Sequence, residues 1–168
     1  MKKDFQKEQG FTLIETIIYI GLLALIIIFL AAFFQQSILI KAKINERLEN
    51  LDNAQYAMDR ISWYLQNSIK VKEPLSGQSS NQLVIDTLVT EKNPVEFFVE
   101  EGQLKMRLID EPALSLTNKR LEVKELKFIN QGFVNQPAII KIILTIASRQ
   151  TLWQIQPLTL ETSVKLGK

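Results

Sequence analysis

From Phe11 to Phe34 the chain reads FTLIETIIYIGLLALIIIFLAAFF, an apolar run whose one charged residue is Glu15. Coiled as a helix, that stretch is about 36 Å long at ~1.5 Å per residue, enough to cross a hydrocarbon core of ~30 Å. The run therefore reads as a membrane helix, and Glu15 sits well inside it. A carboxylate in that setting costs roughly 2.5 kcal/mol or more by insertion measures, so an intramembrane acid is a functional group by default. The sequence offers it no charged partner nearby. Thr12 and Thr16 are the expected polar neighbours, and their hydroxyls donate hydrogen bonds without carrying charge. Unless it holds a proton, Glu15 is expected to take a cation from elsewhere.

The rest of the composition narrows the classes available. Of 168 residues, 46% are hydrophobic and 23% charged. Roughly 100 residues remain for a head beyond the helical N-terminal part, enough for one modest core. The chain has neither cysteine nor histidine. It thus lacks disulfides and at least one member of the usual zinc, haem, Ser-His and Cys-His arrangements. A formal net charge of +2 gives no strong reason to expect nucleic acid. Lys2, Lys3 and Lys7 precede the apolar run, which by the positive-inside rule puts the N-terminus on the cytoplasmic side and the remainder outside. A conventional signal peptide fits poorly: its apolar core should be shorter, and Ala31-Ala32 is followed by bulky Phe33-Phe34. An uncleaved signal anchor stays open.

Gly10-Phe11-Thr12-Leu13-Ile14-Glu15, followed by an apolar run, resembles the class III signal of type IV prepilins and type II secretion pseudopilins. The resemblance is strongest over residues 7 to 34. It implies that a prepilin peptidase cuts between Gly10 and Phe11 and methylates the new amine of Phe11. It also implies that Glu15 partners the terminal amine of a neighbouring subunit. One departure is the absence of the helix-kinking proline of many major pilins; Ala31-Ala32-Phe33 stands there instead, so less of a kink is expected.

Beyond Phe34 the pattern becomes one-sided. Ile44, Leu48, Leu51, Met58, Ile61, Leu65 and Ile69 recur at threes and fours, with Ala54 and Gln55 filling the step between Leu51 and Met58, as on an amphipathic helix. No proline falls between Phe11 and Glu73, so the spacing predicts one continuous helix ending at Pro74, its membrane half over 11–34 and its amphipathic half over 35–73. A short dimeric coiled coil from Ile44 is the competing reading.

Strands follow over a head spanning 82–168. They are expected at Gln82 to Val89, Val95 to Val99 and Leu104 to Ile109, the last two forming a hairpin around Glu100-Glu101-Gly102-Gln103. Ala113 to Arg120 reads as looser. In Leu121 to Ile129, the pairs Leu121, Val123 and Leu126, Phe128 predict a strand with a register break. Ala138 to Ala147 reads as a central strand covered on both faces. In the final segment, Thr151 to Lys165, Leu160, Thr162 and Val164 alternate with Glu161, Ser163 and Lys165 past Pro157. The expected fold class is α+β: a long N-terminal helix, membrane-embedded in its first half, with the outer half across one face of an antiparallel sheet.

The acidic pairs Glu100-Glu101 and Asp110-Glu111 suit acid-base work or calcium by residue type, but both fall at predicted turns where solvated charge is ordinary. Lys119, Arg120, Lys124 and Lys127 interleave with Glu122 and Glu125, as on the exposed face of a strand. Trp63, Tyr64, Phe97, Phe98, Phe128 and Trp153 read as core or subunit interface. No glycine-rich phosphate loop or nucleophile elbow is present.

Over the head, Met58-Asp59-Arg60, V-E-F-F-V, V-K-E-L-K-F and the closing L-E-T-S-V-K-L are similar in order to minor pilins and pseudopilins of the J or W type, though the chain ends Val164-Lys165-Leu166-Gly167-Lys168 where those commonly carry an arginine-asparagine pair. The combined expectation is a non-enzymatic filament subunit without a cofactor. Its implied partners are prepilin peptidase, other pilin or pseudopilin subunits, an inner-membrane assembly platform and membrane lipid; nucleic acid has no support in the residues. The alternative is an uncleaved, single-pass, membrane-anchored extracytoplasmic binding or sensor domain.

Overall fold

The computed structural model describes residues 12–132, 138–149 and 156–167. The chain divides into two compact units, one ending at Ala42 and the other beginning at Lys43. A single helix, α1 (Leu13–Gln66), supplies the described part of the first unit and opens the second. From Thr16 to Ile40 each of its residues is exposed. Large side chains such as Leu13 (80% exposed) and Phe29 (69%) are exposed rather than packed as in a buried core helix, and the stretch is long and apolar enough to span a membrane.

In the second unit α1 buries a narrow face of Asn50, Ala54, Ala57, Met58, Ile61 and Leu65. The expected stripe is thus corrected at both ends, because Ile44, Leu48 and Ile69 are about half exposed or more and Ala57 lies at the centre of the contact. Two alanines let the helix approach strands closely; the longer side chains of the expected stripe sit beyond the contact.

The helix also stops at Gln66, short of the expected Glu73. Its last turn is closed locally. Asn67 Nδ2 donates to the Trp63 carbonyl at 2.7 Å and Ser68 Oγ to the Leu65 carbonyl at 2.7 Å, which satisfies carbonyls that would otherwise lack partners. The chain then extends as β1 (Ser68–Glu73), where β-branched Ile69 and Val71 favour a strand.

After β1 come β2 (Ser79–Ser80), β3 (Leu83–Thr87), a single 3-10 turn at Thr90–Lys92, β4 (Val95–Glu100), β5 (Gln103–Arg107) and β6 (Leu114–Ser115). The chain closes with β7 (Leu121–Asn130), β8 (Ile139–Ser148) and β9 (Leu158–Lys165). These make an α+β layout in which the helix packs against two antiparallel sheets, ordered β1-β3-β4-β5-β6 and β2-β7-β8-β9, rather than the one sheet expected. Regular structure begins before residue 82, since β1 and β2 precede it. The segment read as loose, Ala113 to Arg120, contributes β6 at the edge of the first sheet.

The β4–β5 hairpin forms as predicted, with Glu100 facing Gln103 across the turn. Glu101 and Gly102 adopt φ values of 54° and 72°, the paired left-handed conformation of a tight hairpin turn. The register break in β7 is a bulge between Val123 and Glu125, and it returns Leu126 and Phe128 to the same buried side as Leu121 and Val123. β8 is interior to its sheet but fully covered on one face only: Ile140, Ile142, Leu144 and Ile146 are buried while alternate residues are exposed or half-buried, which corrects the two-sided expectation. In β9 the alternation of Leu160, Thr162 and Val164 with Glu161, Ser163 and Lys165 holds.

One core joins Ala57, Ile61 and Leu65 of the helix to Ile85 and Phe97 of one sheet and to Phe128 and Ile142 of the other. Two buried polar groups at its margin are paired. Thr117 Oγ1 accepts from the Leu104 N–H at 3.0 Å, and Asn130 Nδ2 donates to the Pro74 carbonyl at 2.9 Å.

Candidate functional site

Gly10 and Phe11 lie outside the described residues, so the first site residue placed is Thr12, immediately before the helix. Its hydroxyl oxygen accepts the backbone N–H of Glu15 at 3.3 Å, the arrangement of an N-cap three residues ahead of its partner. Thr16 Oγ1 donates to the Thr12 carbonyl at 3.3 Å. Neither threonine hydroxyl is given to the carboxylate.

The carboxylate meets a third group. Tyr19 donates its hydroxyl to Glu15 Oε1 at 3.3 Å, and Glu15 is half-buried while its neighbours along the helix are exposed. The expectation that only Thr12 and Thr16 flank the acid is thereby corrected. The missed signal was spacing: residues four apart on a helix lie on the same face, and Tyr19 is four beyond Glu15. Position also helps the acid, because Glu15 falls in the first turn of α1, where the positive end of the helix dipole favours negative charge. The sequence carried that signal too, since Thr12-Leu13-Ile14-Glu15 has the Thr-x-x-Glu form of a capping box. A tyrosine hydroxyl is neutral, so it brings the carboxylate no charged partner.

The head places its charged groups in ordinary surface pairs. Lys105 Nζ lies 2.7 Å from Glu100 Oε2 and 3.7 Å from Glu101 Oε2. The hydrogen bond to Lys105 and its positive charge hold the Glu100 carboxyl below its usual range, and the same bond raises the Lys105 ammonium. Lys124 pairs with Glu122 at 2.8 Å and pulls that carboxyl down in the same way. Arg120 lies 3.8 Å from Glu49. Two members of the cluster of Lys119, Arg120, Lys124 and Lys127 thus pair with acids, Arg120 with Glu49 and Lys124 with Glu122. Among the described residues no three of Asp, Glu, His or Cys gather in one place.

The aromatics divide. Phe97 and Phe128 are core, Phe98 lies under the Arg107 guanidinium at 5.0 Å from the ring centroid, and Trp153 falls outside the described residues. Trp63 is exposed and, with Tyr64, Asn67, Thr87, Leu88, Val89 and Lys92, lines an open groove beside the end of α1. That lining has a lysine and no carboxylate, so it holds no acid-base pair of carboxylates. Glu15, with its hydroxyl neighbours, is the one charged side chain between Leu13 and Ile40. Comparison of the chain with protein-family models, with curated proteins and with solved structures found no match.

Proposed function

We propose that the chain is a filament subunit of the pilin kind, a minor pilin or pseudopilin of the J or W type, made as a membrane precursor and cut between Gly10 and Phe11. The observation that carries the reading is Glu15: a carboxylate one turn into a helix whose following residues are apolar and exposed, five positions after a glycine. In hydrocarbon the carboxylate and a free amine at Phe11 are each costly, and pairing between adjacent chains relieves both. Because a buried ion pair repays its desolvation only with good geometry, the pair selects one axial register as the apolar helices pack side by side.

The proposed role is structural. Cleavage and N-methylation fall to prepilin peptidase, and assembly to an inner-membrane platform and to other subunits. The precursor sits in the bacterial cytoplasmic membrane with its lysine-bearing N-terminus inside and its head outside, and then joins a periplasmic or cell-surface filament.

Mass spectrometry of the assembled protein is expected to find a methylated Phe11 as its first residue, and Gly10→Val to leave a full-length, membrane-bound precursor. An intact Met1 start in wild-type assemblies refutes the reading in favour of an uncleaved anchored domain.

A further inference from the structure

Resting on that reading of Glu15, we propose that Tyr19 is a positioning residue for it: the Tyr19 hydroxyl holds one carboxylate oxygen and presents the other to the amine of a neighbouring chain. Three hydroxyls lie within a turn or so of Glu15. That of Thr12 accepts the Glu15 N–H and that of Thr16 donates to the Thr12 carbonyl, so the hydroxyl directed at the carboxylate is that of Tyr19, on Oε1 at 3.3 Å. Among the described residues Oε2 takes no hydrogen bond.

The contact is long for an O–H···O bond, so it directs the side chain more than it binds it. Direction is what a glutamate lacks. Its three side-chain torsions are rotatable, and among the described residues the Tyr19 hydroxyl is the group that hydrogen-bonds its carboxylate. A carboxylate has room for several donors, so occupation of Oε1 leaves Oε2 free to accept an ammonium. From Ile17 to Phe34 the run is otherwise made of Ile, Leu, Phe, Ala and Gly, and its one tyrosine stands four residues after the acid.

The test uses the full-length chain in its own host, as wild type, Tyr19→Phe, Glu15→Gln and the double variant. Quantitative blotting measures the membrane-inserted pool and the fraction in assemblies sheared from cells and pelleted. Glu15→Gln is expected to lower the assembled fraction roughly tenfold. Tyr19→Phe should lower it about threefold, in line with single polar contacts between membrane helices, with the inserted pool unchanged. In the Glu15→Gln background, Tyr19→Phe should cause no further loss.

Two results overturn the positioning role and leave the filament reading intact: wild-type assembly by Tyr19→Phe while Glu15→Gln is impaired, or an equal threefold loss in both backgrounds, which marks simple packing. Wild-type assembly by Glu15→Gln removes the filament reading itself and the positioning role with it.

Discussion

The two portions of α1 invert the usual relation between side-chain size and burial. Before Ala42 the helix exposes Leu, Ile and Phe along every face, whereas after Lys43 it exposes Tyr56 and Trp63 and buries Ala54 and Ala57 completely. The difference lies in what surrounds each portion. A helix apolar all round suits hydrocarbon, where packing against protein is unnecessary; a helix that docks on sheets needs one narrow, small-residue face so that backbones come close.

Truncating matched isoleucines should separate the two portions most strongly. Ile61 is wholly buried, and Ile61→Ala should destabilise the head by about 2–5 kcal/mol, read as a lower denaturation midpoint. Ile26→Ala, in the exposed portion, should leave that midpoint unchanged; a similar loss at both positions would show the two portions share one core. Next in size is charge. Ile26→Asp should cost about 2.5–3.5 kcal/mol of insertion, seen as chain extracted by carbonate washing, with the folded head preserved.

The smallest effect belongs to the surface of the hairpin. Glu100 titrates below its ordinary value of 4.5 and Lys105 above its ordinary value of 10.5, because each hydrogen-bonds the other's charged form. The Glu100 contribution is present above its ordinary value and vanishes as pH falls through the lowered one. The Lys105 contribution is present below its ordinary value and vanishes as pH rises through the raised one. Wild type should therefore exceed Glu100→Gln only slightly in thermal unfolding at neutral pH, and not at either extreme, since exposed pairs contribute little. Membrane insertion should be untouched throughout.

Most of the local structure was legible. The hairpin followed from V-E-F-F-V and L-K-M-R-L around Glu101-Gly102, and the β7 bulge from the shifted inward pairs of Leu121, Val123 and Leu126, Phe128. The helix end was not, because Ile69 continues the helical period and the first proline lies at position 74. Asn67 and Ser68 closed the turn earlier through side-chain bonds to the carbonyls of Trp63 and Leu65. At the candidate site Glu15 stood out by its cost alone, while Tyr19 was hidden among apolar neighbours that share its aromatic and aliphatic character.

By itself the sequence determined an apolar helix with one acid near its start, and a β-rich head without cysteine or histidine, because hydropathy, period and residue chemistry are properties of the chain wherever it folds. Only the tertiary structure decided that the strands divide into two sheets and that alanines face them. Pairing Ser79 with Ile129, or Leu121 with Ser148, joins segments far apart in sequence. Such partners are chosen by the shared core they enclose, and no local pattern records that choice.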